Sequence, residues 1–547
     1  MHSFAPPVSA RLWYLSAVFV LLAAGCWIRG WGLFPVPLEF WADEAWWATL
    51  LQTGEYAHFG FRPAGYMWLC RELLELGSPE LWLRLPSVLA GCAALVCLYK
   101  CAEWSTRSRA AVLFVLLLAI FHPKLVTLAK EFKPYSVEVF VFTALTAWTL
   151  YCLRQGRGRS GLILAALLSL PFCYPVMFLY PGIALALAGE RLAILRRLSP
   201  RQWVYGALVV LPLVVLFHFQ LFERLGAGPN RLLWGDKYDV FPLDTGLLSG
   251  VTWYVGKSWS LVTLPGALDA MPHAVLPLFG VAYVAGIGIL VAARRWRELG
   301  LLATPLVAVT AANLLGYWPY GAFRANLFLI PGILLVIAQS VDWLATRERF
   351  RWVAYGAIAC VLAVAVASGS GPYRTKRSVH WAASPQLTDV LADIDRRRRE
   401  SSEDWSDLIL ADWHSWRPIL FYLPRKPELR EVRLVPGPVA DLATLELRLN
   451  AEVGDAVRES RATRIWLVVT RLDAHAAILE SATVARHAHY CREFSPDDRN
   501  YHPVLVELRV AAPNDLLARA AQRYHPRPRA VARTESTGVC ERTIAAK

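Results

Sequence analysis

The sequence predicts an α-helical polytopic membrane protein of about eleven transmembrane helices, followed by a C-terminal extracytoplasmic α/β domain. Three observations predict it. The 547 residues are 56% hydrophobic with 23 Trp, a positive mean hydropathy and only 18% charged side chains, which is too apolar for a soluble protein and too long for one span. Apolar segments of near-spanning length recur as far as Ser368. Beyond it the pattern changes to short apolar strands alternating with helical runs.

Taken in order, the spans fall roughly at 12–30, 82–102, 109–122, 134–153, 161–173, 174–190, 202–222, 273–293, 299–318, 325–345 and 352–368. The segments 109–122 and 161–173 are short of the about 20 residues a crossing needs, so they extend into their flanks or meet a thinned bilayer. The apolar run Leu12–Ile28 has no small-residue cleavage site and reads as the first span, not a signal peptide. Arginines occupy alternate connections: Arg107 and Arg109; Arg154, Arg157 and Arg159; Arg191, Arg196, Arg197 and Arg201; Arg294, Arg295 and Arg297; Arg347, Arg349 and Arg351. By the positive-inside rule these and the N-terminus are cytoplasmic. The formal charge of +14 is thus largely topology information, and no nucleic-acid partner is expected.

The linker Ser368-Gly369-Ser370-Gly371-Pro372 closes a membrane domain, 1–368, whose first outer loop is 31–81. Residues 369–511 read as the α/β domain, with helices at 385–399, 415–423, 440–459 and 474–488, strands at 408–411, 465–469 and 504–508 and another around Val432, and a largely parallel sheet. Residues 512–547 read as a loosely ordered tail. No glycine-rich phosphate loop is present, so nucleotide binding has no support. The run Arg396–Arg399 is most simply a solvated helix end, with anionic lipid headgroups as the alternative. Of ten Cys, Cys97 and Cys101 lie one helical turn apart with no His nearby and read as core. Cys491 and Cys540 are able to form one disulfide in an oxidising compartment.

The ionisable residues of the outward connections carry the functional signal. Asp43 and Glu44 stand in Phe40-Trp41-Ala42-Asp43-Glu44-Ala45-Trp46-Trp47, where a carboxylate at the bilayer edge invites a functional explanation. The same loop holds Phe61-Arg62-Pro63-Ala64-Gly65-Tyr66 and leads through Leu83-Arg84-Leu85-Pro86 into the second span. Its two Trp-rich helices, ending near Gly54 and Gly77, are suited to lie along the membrane face. Lys124, Lys130, Glu131, Lys133 and Tyr135 gather before the fourth span, and Tyr317-Trp318-Pro319-Tyr320-Gly321-Ala322-Phe323-Arg324 precedes the tenth. Snorkelling to headgroups explains any one of these cations. Together, with Glu131 among the lysines, they suit an anionic headgroup, because Arg forks and Lys point charges match phosphate and a carboxylate takes up a proton.

Four stretches in this order, Asp43-Glu44, Leu83-Arg84-Leu85-Pro86-Ser87-Val88-Leu89-Ala90-Gly91, Lys130-Glu131-Phe132-Lys133-Pro134-Tyr135 and Tyr317-Trp318-Pro319-Tyr320-Gly321-Ala322-Phe323-Arg324, resemble the protein O-mannosyltransferase and aminoarabinose transferase group of C-type membrane glycosyltransferases, nearest its bacterial polyprenyl-phosphate-sugar-dependent branch. The resemblance covers roughly 10–350. It implies transfer of a sugar from a polyprenyl-phosphate carrier to an envelope acceptor (glycolipid, polysaccharide or protein), at the periplasmic face of a bacterial inner membrane. It places Asp43 at the reacting centre and Arg84, Lys133 and Arg324 on the carrier phosphate. The chain departs from the group's pattern at Arg62-Pro63-Ala64, where His-Pro-Pro is usual, and at Lys133, where Arg is commoner.

Displacement at an anomeric carbon with phosphate leaving needs a base for the acceptor hydroxyl and cations for the departing charge. Asp43 is the expected base and Glu44 its brace, by helix N-terminal interactions or a cation such as Arg62. No cofactor is expected; a divalent cation is an alternative to one of the basic side chains, without a His cluster to argue for it. The rival class is a non-catalytic lipid-carrier translocator or envelope-assembly scaffold, although a translocator would carry its charges midway through the spans. The topology makes a direct prediction: a reporter fused after Lys547 that is active only in the cytoplasm stays silent, and a bright signal overturns the orientation.

Overall fold

The computed structural model describes residues 8–31, 39–40, 42–54, 63–188, 247–263, 271–315, 318–322, 324–368, 387–401, 405–438, 444, 447–448, 451–452, 463–469, 488–493 and 504–510. The chain forms two compact units, Met1–Val36 with Ala57–Ser378, and Pro37–Tyr56 with Val379–Lys547. The acidic part of the first loop, expected within the membrane domain, therefore belongs to the second unit.

The helices are α1 (Val8–Gly30), α2 (Ala42–Thr53), α3 (Ala64–Leu74), α4 (Pro79–Ser105), α5 (Arg109–Phe121), α6 (Pro123–Ala129), α7 (Tyr135–Gln155), α8 (Arg159–Ser169), α9 (Tyr180–Ala188), α10 (Leu247–Thr263), α11 (Leu276–Ala292), α12 (Trp296–Leu314), α13 (Ile330–Ala345), α14 (Arg351–Ser368), α15 (Leu387–Glu400) and α16 (Trp413–Tyr422). All but α2, α15 and α16 lie in the first unit. Against the eleven expected spans, five helices among the described residues are long and apolar enough to cross a membrane, or six counting α5 and α6 as one bent span. The span expected at 202–222 lies outside the described residues, and α10 falls between the spans expected at 202–222 and 273–293.

The bend has a local cause. Pro123 lacks an N–H, so the carbonyl of Ala119, four residues earlier, has no helical donor, and α5 and α6 meet at 55°. Arg29 of α1 supplies the bond: its Nη2 donates to the Ala119 carbonyl at 2.9 Å and its Nη1 to that of Gly25 at 3.1 Å. The guanidinium is only 2% exposed and passes Gly91 of α4, where a Cβ would lie 3.2 Å from Arg29 Cδ. His122 at the corner caps α6, its Nδ1 accepting from the Leu125 N–H at 3.3 Å. One arm of a buried guanidinium is thus bonded to backbone that proline has released.

The Arg-rich connections also bond helix ends to one another. Arg295 Nη1 donates to Gln339 Oε1 at 2.7 Å, its Nη2 to the Ser105 carbonyl at 2.6 Å, and it is ion-paired with Glu298. Asp342 Oδ1 accepts from the Arg107 and Ser108 amides at 2.9 and 2.5 Å. The ends of α4, α5, α12 and α13 are tied by these bonds.

In the second unit a five-stranded sheet runs β2 (Arg433–Leu434), β1 (Ser406–Ala411), β3 (Thr463–Val469), β5 (Val504–Val510), β4 (Ala488–Glu493). β1 is parallel to both β2 and β3, but β5 is antiparallel to β3 and to β4, so the sheet is mixed, not largely parallel. The polar strand β4 begins inside the stretch read as helix 474–488, of which 474–487 lie outside the described residues. Cys491 of β4 is disulfide-bonded, while Cys540 and the expected tail lie outside the described residues.

The four-arginine run is a solvated helix end only in part: the Arg396 and Arg399 side chains are 47% and 74% exposed, whereas those of Arg397 and Arg398 are 20% and 16% exposed. Arg396 pairs with Asp393; Arg397 reaches Asp393 and Glu507 at 3.6 Å each and lies over the Tyr490 ring; Arg398 bonds Asp407 at 2.9 Å; Arg399 pairs with Asp395. Asp407, 3% exposed, also accepts from Arg464 Nε at 2.6 Å and Trp466 Nε1 at 2.7 Å. The buried carboxylates of Glu507 and Asp407 hold Arg397 and Arg398 inward, since a buried charge requires a paired and hydrogen-bonded partner.

Packing in the first unit generates a test. A Cβ at Gly286 of α11 would run into the Val336 carbonyl of α13. Gly286→Ala should therefore cost about 1–3 kcal/mol by overpacking, read as a lower thermal midpoint in detergent; an unchanged midpoint refutes the close approach.

Candidate functional site

In the second unit, the segment carrying Asp43 is bonded to helices of the α/β fold. Glu39 accepts from the Leu387 and Thr388 amides at 3.1 Å each and from the Thr388 hydroxyl, capping the start of α15. The Phe40 amide donates to Tyr422 Oη at 2.8 Å, and its ring meets Phe421 edge-on. Arg417 Nη1 donates to Asp43 Oδ1 at 3.0 Å, its guanidinium 5.2 Å from the Trp46 ring centre. Trp46 packs on Trp416, and Arg425 donates to Gln52 at 3.0 Å.

The adjacent carboxylates diverge, as two successive positions of a helix must. Glu44 is fully buried, whereas the Asp43 side chain keeps 28% of its exposure. The sequence reading paired Glu44 with a cation such as Arg62, but Arg62 lies outside the described residues.

In the first unit the structure gathers most of the predicted cations. Arg84, 6% exposed, lies on α4 one turn before Ser87, whose hydroxyl donates to the Lys133 carbonyl at 2.8 Å. Tyr66 Oη meets that hydroxyl at 3.4 Å and stacks on Phe132. In the turn leading to α7, the Lys133 amide donates to the Glu131 carbonyl at 2.8 Å, and both side chains are buried. Arg324 opens a 3₁₀ turn, Arg324–Leu329, and its guanidinium lies 5.8 Å from the centre of the Tyr135 ring. Ser87 thus ties the α4 turn that carries Arg84 to the backbone at Lys133, and the Tyr135 ring meets Arg324. Lys130 stands apart: burial, with the Arg29 guanidinium adding to it, pushes its ammonium down to about 8. Lys124 donates to the Ala322 carbonyl at 2.8 Å and serves the turn.

That turn is rigid. Asn326 Nδ2 donates to the Pro319 and Gly321 carbonyls at 3.0 Å each and its Oδ1 accepts from Trp318 Nε1 at 2.9 Å. Gly321 has a φ of +100°, a region suited to glycine, with Lys257 of α10 packed against it. Lys257, Glu39 and Arg417 were not singled out from sequence. Glu39 had a usable signal, four residues before Asp43 in the same loop; Arg417, in another helix far along the chain, had none.

The fold and these grouped charges define a multi-pass membrane protein. Residues 62–218 match the family model described as dolichyl-phosphate-mannose-protein mannosyltransferase, so the resemblance to the C-type membrane glycosyltransferases read from the motifs holds there. Among solved structures the chain is similar to ArnT from Cupriavidus metallidurans bound to undecaprenyl phosphate, at 13% identity over 91% of this chain and 98% of that one, with a TM-score of 0.48. It is also similar to the oligosaccharyltransferase of Archaeoglobus fulgidus in the apo form, at 11% identity over 89% and 74% of the two chains, with a TM-score of 0.43. No curated protein matches the chain.

Glu39 carries a pH prediction. Burial outweighs its three donors and pushes the carboxyl from 4.5 up to about 7. The folded state then holds the proton more tightly than the unfolded chain, so this stabilisation is complete below pH 4.5 and lost as pH rises through 7. The contribution is at most about 3 kcal/mol. Glu39→Gln should flatten the fall in thermal stability between pH 5 and 8, and an unaltered slope would assign the fall to another group.

Proposed function

We propose that the protein is a glycosyltransferase that moves a hexosyl or pentosyl group, with inversion, from a polyprenyl-phosphate carrier to an envelope acceptor at the outer face of a bacterial inner membrane. The observation that carries the reading is that the Lys133 backbone is bonded to Ser87, one turn beyond Arg84 on α4, while Arg324 lies at the Tyr135 ring two residues beyond Lys133. Cations assembled from three separate elements of a membrane unit suit a lipid-linked phosphate more than three independent snorkelling contacts. The family match over 62–218 supports the same donor chemistry. The bonded Cys491 favours an oxidising compartment for the second unit.

The step is a single displacement. The acceptor oxygen forms a bond to the anomeric carbon as the bond from that carbon to the phosphate oxygen breaks. The bonding pair leaves with the phosphate, whose charge Arg84, Lys133 and Arg324 stabilise, and the hydroxyl proton passes to Asp43. Phosphate departs as a stabilised anion, so no acid is required for it. The greater exposure of Asp43 supports it as the base over the fully buried Glu44.

Asp43→Asn keeps shape and removes basicity, so it should lower turnover about a hundredfold or more with donor binding retained, and Glu44→Gln should cost less. Arg324→Ala should weaken donor binding by one to two decades, a charge-assisted bond to phosphate being worth about 1.5–3 kcal/mol. Full transferase activity of Asp43→Asn would overturn Asp43 as the base, no transferase activity in the unaltered protein would return the translocator and scaffold readings, and unchanged binding of a polyprenyl-phosphate sugar to Arg324→Ala would return that residue to snorkelling.

A further inference from the structure

We infer that Arg417 is a positioning residue for Asp43, holding its carboxylate ionised and oriented. The inference rests on Asp43 being the base. Three observations carry it. The Nη1 of Arg417 meets Oδ1 of Asp43 at 3.0 Å, with the two side chains only 15% and 28% exposed. Arg417 is itself oriented, its guanidinium 5.2 Å from the Trp46 ring centre and its helix neighbour Trp416 packed on that same ring. The helix bearing Asp43 is further secured by the Glu39 cap and the Phe40–Tyr422 and Gln52–Arg425 bonds.

The physical consequence lies in what a guanidinium does to a neighbouring carboxylate. It favours the charged form and commonly lowers the carboxyl by about one to three pH units. It also fixes one oxygen, leaving the group partly accessible to a hydroxyl. Burial of an arginine without its carboxylate is unfavourable: burial pulls the Arg417 guanidinium down, and Asp43 pulls it back up. Each therefore holds the other charged. None of the other ion pairs of this unit described above includes the first-loop segment; they lie within α15 or join α15 to β1 and β5 and β1 to β3.

The test compares full-length Arg417→Gln, Arg417→Lys, Asp43→Asn and the Arg417→Gln/Asp43→Asn double variant, using a radiolabelled polyprenyl-phosphate sugar and cell-envelope acceptor. Arg417→Gln should lower kcat about tenfold, leave the donor KM within about twofold, and move the acid limb of the pH–rate profile up by about one unit. Arg417→Lys keeps the charge, so its limb should stay in place while kcat falls a few-fold through lost geometry. In the Asp43→Asn background, Arg417→Gln should change nothing further, because it acts through the carboxylate. An unmoved limb with wild-type kcat in Arg417→Gln overturns the inference, as does an equal fold-loss in both backgrounds. Where Arg417→Gln fails to fold, Arg417→Lys decides: wild-type kcat, or a limb displaced by a unit despite the retained charge, overturns it. Full activity of Asp43→Asn instead overturns the assignment of the base.

Discussion

The organisation of the second unit depends on a few bonds that take a short piece of the first loop out of the membrane unit's sequence neighbourhood and build it into the α/β fold. Glu39 caps α15, Phe40 donates to Tyr422, and Asp43 pairs with Arg417. Each joins residues more than 340 positions apart. A contact between such distant residues offsets a large loss of chain entropy only when several act together. The ring contacts of Phe40 and Trp46 supply the apolar part of that sum and the charged pairs its specificity.

The first unit solves a different problem, that of keeping polar groups in an apolar environment. Proline at the α5–α6 corner releases a carbonyl, and Arg29 fills the vacancy. Asp342 takes two amides at the start of α5, and Arg295 is bonded to Glu298, Gln339 and the Ser105 carbonyl. Without water as an alternative partner, such bonds are retained wherever a helix ends or breaks. The same constraint bears on Arg84 and Lys133, whose burial reserves them for partners that a hydrated surface lysine or arginine would not need.

Charges in this protein therefore divide by environment. The arginines of Arg396–Arg399 are turned onto Asp393, Asp395, Asp407 and Glu507 and serve the fold. Arg324, at the start of a 3₁₀ turn, has its guanidinium 5.8 Å from the Tyr135 ring centre.

The membrane class, the alternation of arginine-rich connections and the helices of the first loop were legible in the sequence because each depends on local composition and periodicity. So was the candidate list at Asp43, Glu44, Arg84, Lys133, Tyr135 and Arg324, since ionisable residues beside apolar segments are conspicuous wherever they occur. What only the tertiary structure decided was membership and pairing: that α2 belongs with the C-terminal unit, that Asp43 meets Arg417, that β4 and β5 turn the sheet antiparallel, and that Arg29 satisfies Ala119. None of these has a periodic signature, because each is made between segments brought together by folding. Local sequence specifies which residues need partners; only the folded chain specifies which partners they obtain.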